Sequence, residues 1–129
     1  MTTLRTAGDS GALFDMTGTV ANNATWDEYI YFLENGSGMS LTGLTFRLQF
    51  RESPDDTSAV LDLTTTDSEL VITNDDASVA SILRINVAYT VISGLSGDYI
   101  ADLVSKDGNS KLTHWASGVI TFKQSPIAF

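Results

Sequence analysis

LTFRLQFR, residues 44–51, alternates without a break. Leu44, Phe46, Leu48 and Phe50 are apolar, and Thr45, Arg47, Gln49 and Arg51 between them are polar. A period of two sends one set to each face of an extended strand, whereas a helix needs spacings of three and four. The segment predicts a β-strand with one buried face and one wet face. Its neighbours read the same way. WDEYIYFLE (26–34) is rich in aromatic and β-branched residues and apolar on both faces near its end, as in a central strand. NGSGMS (35–40) reads as a connection. VLDLT (60–64) puts Leu61 and Leu63 on one face, and TTDS makes a tight turn into the short, β-branched ELVIT (69–73).

Further along, ILRINVAY (82–89) sets Leu83, Ile85 and Val87 against Arg84 and Asn86. DYIADLVS (98–105) sets Tyr99, Ala101 and Leu103 against Ile100, Asp102 and Val104. Asp107-Gly108 is a hairpin signal, and KLTHWASGVITF (111–122) is the return strand, with Gly118 marking a bulge. TVISGLSG (90–97) is the one helical stretch, a single turn crossing between sheets. Seven or eight strands with turns every 8–12 residues predict an all-β fold, an antiparallel two-sheet sandwich of immunoglobulin-like type. A five-stranded open barrel such as the OB-fold is the alternative, with fewer strands than are counted here.

With 129 residues, the chain is long enough for one domain and one core. Residues 1–11 read as a loose arm, 12–125 as the sandwich and 126–129 as an apolar tail. The N-terminus lacks the apolar core of a signal peptide, and no apolar run approaches a membrane span. Sixteen acidic against seven basic residues give a formal charge of −9. That balance argues against nucleic acid and anionic membranes as partners. With no cysteine and one histidine, thiolate sites and any site needing two histidines are excluded.

The residues that carry chemistry elsewhere form no catalytic pattern here. Asp55-Asp56 and Asp75-Asp76 lie in predicted loops without the D-x-D-x-D-G order of a calcium loop, and read as solvated turns. His114 and Trp115 are adjacent on a strand, so they point to opposite faces, one inward and one outward. No G-x-S-x-G elbow accompanies the histidine, and GSG at 36–38 does not continue as a phosphate loop. Trp26, Tyr29, Tyr31 and Trp115 serve either the core or a platform for sugars or proteins. Catalytic, cofactor and metal residues are therefore expected to be none. Contacts with other proteins are expected at Arg47 and Arg51, which lie on the polar face of the amphipathic strand, and at Ile127 and Phe129 in the tail. The alternatives are pairing of the arginines within the domain and folding of the tail back onto its own sandwich. The arm residues Leu4, Leu13 and Phe14 carry the same double reading.

Three segments carry a family resemblance over roughly residues 24–125. Leu41-Thr42-Gly43 precedes a strand that closes on Gln49-x-Arg51. Gly97-x-Tyr99-x-x-Asp102-Leu103 opens a later strand, and Ser117-Gly118-Val119 follows the Asp-Gly hairpin. In these features the chain resembles small structural proteins of tailed bacteriophages from tail, baseplate and fibre gene clusters, which carry an immunoglobulin-like sandwich. It departs from them at Ser40, where they usually have aspartate. The resemblance implies a non-enzymatic virion protein, made in the host cytoplasm, which joins tail, neck, baseplate or fibre parts and repeats as a homo-oligomer in the particle. It brings no catalytic residue and no cofactor. A capsid decoration protein and a carbohydrate-binding or adhesion module are the alternatives.

Overall fold

A computed structural model describes residues 13–125 in full and residues 2–7 as backbone. The protein is an all-β sandwich of two sheets. The seven strands expected from the sequence are all present: β4 (Trp26–Glu34), β6 (Thr45–Arg51), β7 (Leu61–Thr64), β8 (Leu70–Thr73), β9 (Ile82–Val87), β10 (Gly97–Lys106) and β11 (Leu112–Lys123). Four short ones join them: β1 (Thr2–Ala7), β2 (Phe14–Asp15), β3 (Gly18–Ala21) and β5 (Ser37–Gly38). Sheet one has the order β1-β4-β9-β8, with β5 folded onto the end of β4. Sheet two has the order β11-β10-β6-β7, and β2 and β3 lie along the outer edge of β11. The orders β4-β9-β8 and β11-β10-β6 take the B-E-D and G-F-C places of an immunoglobulin sandwich.

Two connections make the sandwich. The turn at 65–68 carries the chain from β7 in sheet two to β8 in sheet one. The single helical turn α1 (Tyr89–Ile92) carries it back from β9 to β10. Just after it, Tyr99 Oη accepts the Ser96 N–H at 3.4 Å, a tyrosine corner at the start of β10.

Alternation does what it predicted. Leu48, Phe46 and Phe50 of β6 are buried, and so are Ala101 and Leu103 of β10 and Leu83, Ile85 and Val87 of β9. Two aromatic clusters fill the space between sheets. Phe32 meets the rings of Phe14, Phe46 and Trp115 at one end. Phe122 meets Trp26, Phe50 and Tyr99 at the other. The fully buried rings among them, Phe32, Phe46, Phe50 and Phe122, each contribute roughly 1.5–3 kcal/mol over an exposed one.

Three features differ from the sequence expectation. The sandwich is not wholly antiparallel, because β1 pairs with β4, and β2 and β3 pair with β11, in parallel. β2 and β3, of two and four residues, show too little alternation to be seen, and their partner is far along the chain. Residues 2–7, within the expected arm, run as β1; residues 1 and 8–11 of that arm, residue 12 and the tail 126–129 lie outside the described residues. Second, the register irregularity falls at Trp115, between Ala116 opposite Leu103 and His114 opposite Val104. Gly118 is in register with Ala101, and its role is close approach: a Cβ there would sit 2.5 Å from Thr17 N and 2.9 Å from Met16 backbone atoms. Third, the two-residue hairpin turn is Asn35-Gly36, both with positive φ (52° and 81°). The Asp107-Gly108 hairpin is a five-residue loop instead. Asp107 Oδ1 accepts N–H bonds from Asn109 (2.8 Å) and Lys111 (2.9 Å), and Ser110 takes the positive φ.

A candidate interaction surface on the second sheet

The outward residues of β11, β10, β6 and β7 form one continuous face. At its centre, Asp102 Oδ1 lies 3.0 Å from His114 Nε2, and Asp102 Oδ2 lies 3.8 Å from an Arg51 guanidinium nitrogen. Arg51 also donates to Gln49 Oε1 at 3.0 Å. Arg47 Nε stands 3.2 Å from Asp62 Oδ1 across β6 and β7. The strand register fixes these neighbours: Asp102 is opposite Gln49 on one side and Ser117 on the other, and Gln49 is opposite Asp62. Both predicted arginines thus lie on this face and pair within the domain. They differ in availability, with side chains 54% exposed at Arg47 and 22% at Arg51. Ile127 and Phe129 lie outside the described residues.

Each end of the face carries a hollow. Near the start of β10, the loop after β6 borders the sheet, and an open hollow of about 610 Å³ is lined there by Arg51, Pro54, Asp56, Ile100 and Asp102. At the far end a second hollow, of about 230 Å³, lies between Arg47, Val104, Lys106 and Leu112. Leu112 is 71% exposed, the largest value for a bulky apolar side chain among the described residues. Lys106 and Leu112 line this second hollow although nothing singled them out in the sequence. The available signal is the hairpin itself, which places a lysine and a leucine opposite each other on the polar face.

The outer face of sheet one is built differently. Arg84 donates two hydrogen bonds to the Asp27 carboxylate, at 3.0 and 2.9 Å, and its guanidinium lies 5.6 Å from the centre of the Tyr29 ring. The guanidinium holds the Asp27 carboxyl below its ordinary value. Tyr31 Oη donates to Asp75 Oδ2 at 3.0 Å. Asp75, expected as a solvated turn residue, is a hub: Oδ1 accepts the Ala77 and Val79 N–H groups, and Oδ2 also accepts the Ser81 hydroxyl. These bonds hold its carboxyl below the ordinary value. Burial and the neighbouring Asp75 push the Tyr31 phenol up. Of the four aromatics named from the sequence, Trp26 is buried and Trp115 points inward with Nε1 bonded to Ser105 Oγ, while His114 points outward. Tyr29 and Tyr31 remain on the surface, half-buried. Ser40, where the family pattern has aspartate, supplies the same kind of acceptor, its Oγ taking the Thr42 N–H at 3.3 Å.

Among the described residues, no three His, Asp or Glu side chains converge as a metal site, and no helix is long and apolar enough to cross a membrane. No family model and no curated protein matches the chain. Solved structures do. The chain is similar to the N-terminal domain of phage TP901-1 ORF48, with a TM-score of 0.55 and 11% identity. The match covers 96% of this chain and 100% of that one. At such identity the likeness is one of fold, and it extends over nearly the whole domain.

Proposed function

We propose that the protein is a bacteriophage virion structural protein. In this reading it is an assembly module of the tail, neck or baseplate that holds fibres or neighbouring tail parts through protein–protein contacts. The observation that carries the proposal is the end-to-end fold likeness to a phage protein domain. The surface supports it. A sheet face with exposed Leu112, an exposed cation and open hollows suits a protein partner, since apolar and arginine-rich patches anchor interfaces. The role is architectural rather than enzymatic and uses no cofactor. Its partners are other virion proteins and further copies of itself, with neither nucleic acid nor membrane involved, and its location is the virion.

Labelling of purified particles with an antibody to this chain, viewed by electron microscopy, tests the reading. Label at the tail tip, neck or fibre base is expected. Label spread over the capsid would replace the proposal with a decoration role. Particles that carry no label would overturn it.

A further inference from the structure

The outer face of sheet two is polarised along its strands. At one end stand Lys106, Lys111 and Leu112, all exposed. At the other, the loop after β6 contributes the exposed acids Glu52, Asp55 and Asp56, beside the hollow that Ile100 lines. The close ion pairs among the described residues are Arg47–Asp62, Arg51–Asp102, Arg84–Asp27 and His114–Asp102. Neither lysine and none of the three loop acids takes part in them. Lys106 and Ile100 are six residues apart on β10, a separation of about 20 Å. The two ends therefore cannot satisfy each other within one molecule.

We infer that this face binds a second copy of the chain, strand against antiparallel strand. Leu112 and Lys106 of each copy enter the hollow beside Ile100, Pro54 and Asp56 of the other. The geometry favours this arrangement over a chain of copies. The exposed hairpin end and the hollow lie on the same face, so a copy that offers Leu112 to the hollow must look directly at it. With the strands antiparallel, a single two-fold axis then makes both contacts at once and closes the pair. Charge fits as well, because the basic end of each copy lies over the acidic loop of the other, which selects the antiparallel orientation over the parallel one. Alongside the charges, Leu112 and Val104 of one copy cover Ile100 and Val119 of the other. Val119 is exposed and stands directly opposite Ile100 in the sheet.

The available area is small. Three long strands and short β7 offer on the order of 500–600 Å² per copy. That is below the roughly 800 Å² per partner of a standard interface. An interface below the standard size suits a reversible dimer that is populated as protein concentration rises. This inference concerns the isolated protein and does not depend on the virion reading.

Sedimentation equilibrium across a concentration series tests it, with circular dichroism melts to show that each variant folds. The wild type is expected to pass from monomer to dimer. Leu112→Asp should weaken the dimer at least about 10-fold with an unchanged melt, because the side chain touches little of its own domain. Lys106→Glu should weaken it as well. Combining Lys106→Glu with Asp56→Lys should recover much of the loss by restoring the pair with its signs exchanged. A wild type that stays monomeric at every concentration, a dimer indifferent to Leu112→Asp, or a double charge reversal that fails to rescue would each overturn the inference.

Discussion

The outer faces of the two sheets use similar side chains to opposite ends. On sheet one the charges and rings are committed to one another: Arg84 is bound at two atoms by Asp27 and lies over Tyr29, and Tyr31 is tied to Asp75. On sheet two the central network is also internal, but its ends are not: Lys106, Lys111 and Leu112 stand out at one end and an acidic loop at the other. Composition alone therefore does not mark an interface. An arginine among tyrosines looks like an interface anchor on a list of residues, yet its hydrogen bonds are already taken. The side chains whose interactions are left incomplete by their own domain are the ones available to a partner.

Phe32→Ala tests whether both faces depend on one core. Phe32 lies on β4 of sheet one and touches Phe46 and Trp115 of sheet two. Phe32→Ala should cost about 3–5 kcal/mol and lower the melting temperature by roughly 10–20 °C. Both faces should be lost in one transition, seen by tryptophan fluorescence and far-UV dichroism together. Separate transitions would mean that the sheets unfold independently. Gly118→Ala comes next and loads only sheet two. Its Cβ would collide with the backbone of Met16 and Thr17, which cannot move without lifting β2 and β3 from β11. A loss of about 1–3 kcal/mol is expected. Hydrogen exchange should show faster amides at 14–21 and protected amides in β4 and β9. A uniform change would contradict local lifting.

Acid should weaken the Asp75 hub in a predictable direction. Hydrogen bonds hold the carboxyls of Asp75 and Asp107 below the ordinary value of 3.8. A depressed folded value means that the ionised form stabilises the fold. The contribution is complete above 3.8 and is lost as pH falls through the lowered value. Denaturant melts on the acid side should flatten with pH in Asp75→Asn and, less so, in Asp107→Asn. Asp75 binds two side chains in addition to the loop amides, whereas the bonds of Asp107 go to loop amides. Tyr31 gives the alkaline counterpart. Its raised phenol stabilises fully below 10 and loses that contribution as pH rises through the folded value. Equal acid slopes for the two aspartate variants would remove the distinction between a hub that anchors sheet one and a simple turn.

The frame was legible where the physics is local. Leu48, Phe50, Leu103 and Ile85 are buried because each stands two residues from another apolar neighbour on a strand, and periodicity reports that directly. His114 and Trp115 split between surface and core for the same reason. The likeness to a solved domain at 11% identity bears on the fold, in which Tyr99 stands at its corner with Gly97 at positive φ before it. What stayed hidden is non-local. Nothing near residue 118 shows that Met16 and Thr17 press against Gly118, and nothing near residue 51 shows that Asp102 is its partner. Arg47 and Arg51 had identical prospects in the alternating strand, and register alone gave one an exposed partner and the other a half-buried network. Leu112 lies in the expected return strand, and its register opposite Lys106 puts it on the outer face, in water.

The smallest effect carries the comparison to its sharpest point. Arg47 and Arg84 each pair with an aspartate on a neighbouring strand, so a residue list ranks them alike. Arg47 makes one contact, from a side chain 54% exposed, to an aspartate 37% exposed. Such a pair contributes about 0.2–1 kcal/mol at most, because water screens it and its rotamers must be fixed. Arg84 makes two hydrogen bonds and covers a ring, so its replacement removes packing as well as charge. Arg47→Ala should leave the melting temperature almost unchanged, while Arg84→Ala should lower it measurably, and the order should hold at high salt, where a purely coulombic difference would fade. If Arg47→Ala is the more damaging of the two, the second sheet is the internally committed one, and the distinction drawn between the faces is reversed.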